Sequence, residues 1–229
     1  MEGVRFAGQF PAEGLLCSPC RMAPPEFERA VAFAVYEDGL REMVHLLKYE
    51  RVRALATPLG GMLARAIETL EFEDGKELLM VGVPLFSSKE WQRGYNQAVL
   101  IADAAVEELK QTRPRWKFTP AHGAIRRVKD TQSQFELTPK GRRRNLQGAF
   151  QVADGSALVG REVLLIDDIY TTGATARACS RLLRRAGASR VWVATVSRAQ
   201  PQMVAMWDSA GDFAGDLAVQ DGRPLKAEA

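Results

Sequence analysis

The thirteen residues Val163–Thr175, VLLIDDIYTTGAT, constrain the fold of this chain more than any other stretch. Four apolar residues, Val163 to Ile166, lead into two carboxylates, Asp167 and Asp168. A hydroxyl-rich turn with one glycine follows, and the composition then becomes helical from Gly173 to Ala186. A short apolar run without polar alternation suits a strand buried on both faces of a parallel sheet. A helix that opens just after such a strand presents free N–H groups and the positive end of its dipole, which suit a phosphate. Gly173 permits positive φ or a close backbone approach. Thr171, Thr172 and Thr175 can donate hydroxyl hydrogen bonds to phosphate oxygens. The two acids can accept from the vicinal hydroxyls of a sugar and stand near a hard cation. A helix cap beside solvated aspartates is the plainer reading of Asp and Thr here, but a cap requires neither the apolar strand nor both acids nor the glycine.

The rest of the chain supplies a frame for that motif. Strand-like runs at Ala30–Tyr36, Leu78–Pro84, Gly148–Val152 and Val191–Ser197 alternate with helical patterns at Gly39–Tyr49, Arg53–Leu70, Asn96–Lys110 and Gly173–Ala186. This rhythm predicts an α/β fold with a mostly parallel central sheet flanked by helices. Ligands of such sheets bind beyond the carboxyl ends of the strands. Leu85–Tyr95 reads as a polar loop, and Arg113–Arg144 as a long basic loop of the kind that is usually functional or mobile. Residues 1–30 are Pro-rich and hold Cys17-Ser-Pro-Cys20. The tail from Gln200 reads as an acidic, flexible segment: Asp208, Asp212, Asp216, Asp221 and Glu228 stand against Arg223 and Lys226. The net charge of the 229 residues is +3, too weak to imply nucleic acid by itself, though the part before the tail carries +6 and suits an anionic ligand. Three cysteines, Cys17, Cys20 and Cys179, argue against a disulfide framework. The start lacks a signal-peptide pattern and no apolar run is long enough for a bilayer, so the cytoplasm is the expected location and no membrane partner is expected.

VLLIDDIYTTGAT resembles the phosphoribosyl pyrophosphate (PRPP) signature of type I phosphoribosyltransferases. The resemblance implies that fold, an N-terminal hood-like segment, and a magnesium ion that meets Asp167 and Asp168 indirectly, through PRPP. By carry-over, Asp167 and Asp168 hold the ribose, while Tyr170, Thr171, Thr172, Gly173, Ala174 and Thr175 form the 5-phosphate loop. Some members of the fold place a carboxylate base for a purine at the position of Thr171, and its absence speaks against a hypoxanthine-type mechanism. Two further segments resemble the ComF family, also called GntX-like or competence-protein-F-like. Val83-Pro84 with Arg93-Gly94-Tyr95-Asn96-Gln97-Ala98 would be the pyrophosphate loop, with Arg93 catalytic and Gly94 ligand-facing. The stretch Arg126–Phe150 would be a flexible catalytic loop, with Arg127, Gln134 and Arg142 toward the ligand. Tyr36 and Lys48 fall where a hood would cover the acceptor; core packing and a solvated lysine explain them equally well. Family members commonly begin with two CxxC pairs that look like a zinc site. This chain has one, and neither His45 nor His122 has finger-like spacing, so structural zinc is not expected. Cys179 is expected in the core.

The implied activity is transfer of a phosphoribosyl group to an unidentified acceptor with release of pyrophosphate. The rival is a non-catalytic PRPP-binding or accessory factor in DNA uptake. Its partners would be the uptake machinery or single-stranded DNA, which the basic loop with Trp116 would touch by charge and stacking. A homodimer is compatible with either. The domains expected are a degenerate CxxC segment (1–30), a phosphoribosyltransferase-like domain with its hood (31–199) and the tail (200–229). A Walker A loop and a GxGxxG turn are both absent from the sequence, which removes P-loop and nicotinamide enzymes.

Overall fold

The structure is a computed structural model of the chain, and it describes residues 24–70, 72–130, 146, 148–153 and 155–199. Five strands, β1 (Arg29–Val35), β2 (Glu77–Gly82), β3 (Lys117–Pro120), β6 (Glu162–Tyr170) and β7 (Arg190–Arg198), form a sheet in the order β1-β7-β6-β2-β3. Every pairing in it is parallel. The short strands β4 (Ile125–Arg127) and β5 (Phe150–Val152) make a separate antiparallel ribbon. The expected α/β class with a mostly parallel sheet is therefore what the chain adopts.

Alternation along the strands divides the core into two layers. Leu78 and Met80 of β2, with Leu164 and Ile166 of β6, face helices α1 (Asp38–Tyr49), α2 (Ala56–Ile67) and α4 (Gln97–Thr112). Leu79, Val81, Val163 and Leu165 face the other way, toward the ribbon and helix α5 (Ala174–Arg185). β6 is central and buried on both sides, so its run VLLI needs no polar alternation. From β2 the chain moves outward through α4 to β3. From β6 it moves through α5 to β7 on the other side. The carboxyl ends of β2 and β6 thus flank the point where the strand order reverses, the usual ligand crevice of such sheets.

Three sequence expectations are corrected. The strand expected to end at Asp167 runs on to Tyr170, because β7 continues to pair with it through Ile169↔Ser197 and Tyr170↔Arg198. The stretch expected as the loop Leu85–Tyr95 contains a short helix, α3 (Ser87–Arg93). The stretch expected as one long loop from Arg113 contains β3 and β4. The alternation of β3 is short and is obscured by its neighbour Trp116, which joins Phe118, Phe72 and Trp192 in an edge-to-face cluster with centroid separations of 5.0 to 6.3 Å. Of the terminal segments, residues 1–23 and the tail from Gln200 lie outside the described residues, with Cys17 and Cys20. Within residues 24–30, Glu28 N–H bonds the Val191 carbonyl at 2.8 Å and Arg29 already opens β1.

Helices α2 and α4 meet at Gly60. A Cβ there would stand 2.9 Å from both the Ala104 carbonyl carbon and the Ala105 nitrogen, and closer still to the Ala104 methyl. Gly60→Ala therefore forces two backbones apart, and urea unfolding should show a loss of about 1–3 kcal/mol despite alanine's better helix propensity. An unchanged or raised stability would show that the helices separate freely.

Candidate functional site

At the carboxyl end of β6 the backbone turns through Thr171 and Thr172 to Gly173, whose φ of 72° and ψ of 10° place it in the left-handed region, and α5 begins. Glycine is required there twice over. Positive φ strains any other residue, and a Cβ would lie 2.6 Å from Tyr170 Cζ, because the Tyr170 ring folds back over this backbone. A crevice of about 300 Å³, open solvent included, is lined by Val83, Asp167, Tyr170, Thr171, Gly173, Ala174, Thr175 and Ala176, with Leu165, Ile169, Val193 and Thr195 at its base. The Thr172 hydroxyl is buried and has no hydrogen-bond partner among the described residues. An orphaned buried hydroxyl costs roughly 1–3 kcal/mol and marks a place where an acceptor belongs.

The two acids do not share one environment. Asp167 faces the α5 side and lines the crevice. Asp168, the next residue of the strand, faces the α1 side, where Lys48 Nζ stands 2.5 Å from its Oδ2, with side-chain exposures of 12% for Lys48 and 6% for Asp168. Burial disfavours both charges. Each offsets the other's burial, so Lys48 is held above its ordinary pKa and Asp168 below the ordinary carboxylate range. Burial, and then the neighbouring Asp168 charge, hold the Asp167 carboxyl well above that range. The Asp168 N–H donates to Asp167 Oδ1 at 2.9 Å, and the Asp168 carbonyl accepts from Ser197 Oγ at 3.2 Å. Tyr36 is buried near this pair, and burial raises its phenol pKa.

On the opposite side the crevice is lined by Val83, which follows β2 and is tied to the turn after α3. Gly94 ends α3 in the left-handed conformation, with φ of 82°. The side chain of Asn96 does two jobs: Oδ1 caps α4 by accepting from Ala98 N–H at 2.9 Å, and Nδ2 donates to the Val83 carbonyl at 3.0 Å. The end of β2 and the start of α4 are thereby fixed to each other. Arg93 donates to Gln97 Oε1 and lies 5.7 Å from the Tyr49 ring centroid. The Tyr95 hydroxyl donates to the Leu47 carbonyl, and Arg51 Nη2 to the Gln92 carbonyl at 2.5 Å. Behind the wall, His122 Nδ1 accepts the Gly82 N–H at 3.0 Å and Nε2 meets Asp103 Oδ1 at 3.1 Å, which is a structural role.

Of the residues expected at the site, Asp167, Tyr170, Thr171, Gly173, Ala174 and Thr175 line the crevice, whereas Thr172, next to Gly173, and Arg93 and Gly94 are not among its lining residues. Asp168 stands behind it with Lys48, and its charge is lowered in pKa partly by Arg93 across the cleft. Arg127, on β4, has its guanidinium 5.6 Å from the Phe150 ring centroid; burial lowers its pKa, while Cys179 and Asp167 nearby oppose that shift. Gln134 and Arg142 lie outside the described residues. Cys179 is buried as expected, and burial pushes its thiol pKa far up, which makes it inert. Lys48 is not a solvated lysine but the counter-ion of Asp168. The sequence does carry a signal for it: Lys48 is four residues after the buried Val44, on the apolar face of α1.

No family model matches the chain. It is 32% identical over 182 residues to DNA utilization protein YhgH of Escherichia coli (strain K12), which covers 78% of this chain and 76% of the relative. It is 31% identical over 187 residues to Competence protein F of Haemophilus influenzae, covering 80% and 78%. The chain belongs to the ComF-like family. A further relative, Competence protein ComFC of Bacillus subtilis, is 34% identical over 112 residues, 49% of this chain and 40% of that one. Among solved structures, the allosteric regulatory enzyme of purine biosynthesis is 18% identical with a TM-score of 0.36, covering 62% of this chain and 26% of that one. A hypoxanthine phosphoribosyltransferase from Staphylococcus aureus is 18% identical with a TM-score of 0.32, covering 66% and 74%. At these scores neither likeness bears on the site. The ComF-family resemblance carried by the VP…RGYNQA stretch is thus upheld by relatives matched over 78–80% of this chain.

Because Lys48 and Asp168 are both nearly out of water, removing one charge strands the other. Asp168→Asn should cost about 3–5 kcal/mol in urea unfolding, and Lys48→Met combined with Asp168→Asn should recover most of that. Equal losses in the single and double variants would mean that the pair is not coupled.

Proposed function

We propose that this chain binds PRPP in the crevice between β2 and β6 and acts as a phosphoribosyltransferase-like protein. The observation that carries the reading is the orphaned Thr172 hydroxyl beside the left-handed Gly173 at the start of α5, a cradle built for an acceptor with several oxygens. The 5-phosphate sits on the first turn of α5, with Thr171, Thr172 and Thr175 donating. Asp167 accepts from the ribose hydroxyls. Arg93 and the Gly94 turn take the diphosphate, and Arg127 approaches from the ribbon.

Among the described residues no three His, Cys, Asp or Glu side chains converge, and Asp168 is committed to Lys48. A magnesium ion bound together with PRPP would be met on this chain by Asp167 and would supply positive charge against the leaving group. The C1–O bond breaks with its electron pair on pyrophosphate, and a lone pair of the acceptor forms the new bond at C1. The task of the chain is to orient the ribose and to stabilise the departing charge with Arg93 and the surrounding amides. The chain reads as placed in the cytoplasm; among its described residues no helix is long and apolar enough to cross a membrane.

Thr172→Val separates binding from folding. Deleting an unsatisfied buried hydroxyl should leave thermal stability unchanged or slightly raised, while PRPP affinity in an equilibrium titration falls about tenfold. Unchanged affinity would remove the phosphate cradle from the reading.

A second reading, single-stranded nucleic acid as partner, is favoured by two exposed aromatics, Trp91 and Tyr49. Trp91 is 87% exposed and Tyr49 57%; Arg93 lies 5.7 Å from the Tyr49 ring centroid, and Arg51 bonds the carbonyl of Gln92, the residue after Trp91. Trp116, expected to stack on bases, is packed into the aromatic cluster and against the core instead. The names of the relatives, DNA utilization protein and Competence protein F, accord with this reading. If it holds, Trp91→Ala weakens binding to a single-stranded oligonucleotide about tenfold in a filter or polarisation assay, and Asp167→Asn does not; no effect of Trp91→Ala sinks it.

A further inference from the structure

Asp168 is pinned at three atoms. Its carboxylate is held by Lys48 Nζ at 2.5 Å, its carbonyl by Ser197 Oγ at 3.2 Å, and its N–H by Asp167 Oδ1 at 2.9 Å. The last contact is the informative one, because the carboxylate that faces the crevice hangs on the N–H of the residue that Lys48 anchors. Rotation of the Asp168 peptide would carry Asp167 with it. Lys48 is itself placed by contacts on both sides. The Leu47 carbonyl accepts from the Tyr95 hydroxyl, and the Tyr49 ring lies under Arg93. The end of α1 is therefore joined both to the Gly94 turn and to β6.

Stability alone does not call for this lysine. Val44 and Leu47 on the same helix are fully buried, and replacing a buried ion pair by well-packed apolar side chains is often neutral or stabilising. What an apolar pair could not do is hold a carboxylate, and through it a peptide plane, in one orientation.

We infer that Lys48 is a positioning residue for ribose recognition: by fixing Asp168 on the α1 side of β6 it sets the orientation of Asp167, the carboxylate that meets the ribose hydroxyls, and so couples helix α1 to the ligand crevice. This rests on the PRPP reading above. Lys48 acts through Asp168 and Asp167 and touches neither phosphate, so its loss discriminates between parts of the ligand.

The test is calorimetric titration of PRPP, ribose 5-phosphate and inorganic pyrophosphate, each with magnesium, into the unaltered protein, Lys48→Met and Lys48→Arg, with circular dichroism to verify folding. Lys48→Met should bind PRPP and ribose 5-phosphate about tenfold more weakly and pyrophosphate as before, and Lys48→Arg should restore the ribose ligands. Equal weakening of all three ligands, or of none, overturns the inference and leaves the PRPP reading standing. Failure of the unaltered protein to bind PRPP and ribose 5-phosphate overturns that reading and the inference with it. Should Lys48→Met not fold, amine labelling of the unaltered protein decides. Lys48 should resist modification with and without PRPP, whereas Lys110, 63% exposed at its side chain, should react. Labelling of Lys48 that rises to the level of Lys110 when PRPP is added means that the pair opens on binding, and the inference fails.

Discussion

Successive side chains on a β-strand face opposite ways, and β6 continues as a strand through Tyr170, so Asp167 and Asp168 are divided between the two layers of the molecule. Asp167 goes to the crevice and Asp168 to the buried side beneath α1, where a carboxylate is tolerable only with a counter-ion. Lys48 supplies it. The same helix is held by the burial of Val44 and Leu47, and its last turn docks on Tyr95 and Arg93. The extension of β6 is in turn sustained by its pairing with β7.

The remaining walls follow from what the ends of strands and helices need. Asn96 caps α4 and holds the Val83 carbonyl with the same side chain. Gly173 supplies the left-handed turn that starts α5 and makes room for the Tyr170 ring. At the opposite, amino end of the strands, Glu162 is buried with Lys76 at 2.5 Å and the Trp192 indole N–H at 3.1 Å, and Trp192 packs edge-to-face on Phe72. The crevice lies at the carboxyl ends of the strands, where α/β sheets ordinarily bind.

Much of this was legible in the residues. The run VLLI before two acids and a glycine turn identifies a central strand, a phosphate-sized turn and a helix. Helices α1, α4 and α5 are visible in their spacing of apolar residues. What escaped has physical causes. The strand β6 extends beyond Asp167 because of pairing with β7, and tertiary pairing leaves no mark on local sequence. The four residues of β3 are too few for their alternation to register beside Trp116 and Phe118, whose bulk reads as loop decoration until the aromatic cluster is seen. Helix α3, SSKEWQR, buries none of its residues, so it has no apolar stripe to detect. The role of Lys48 is a contact between residues 120 positions apart, which no local pattern encodes, although its place on the apolar face of α1 set it apart.

The central claim is that the crevice at the end of β6 is a PRPP site, and calorimetric titration of PRPP into the unaltered protein with and without magnesium tests it most directly. The account predicts saturable binding at a single class of site that tightens with magnesium. Absence of binding heat at saturating PRPP under both conditions would contradict it and leave the cradle around Gly173 without its proposed occupant.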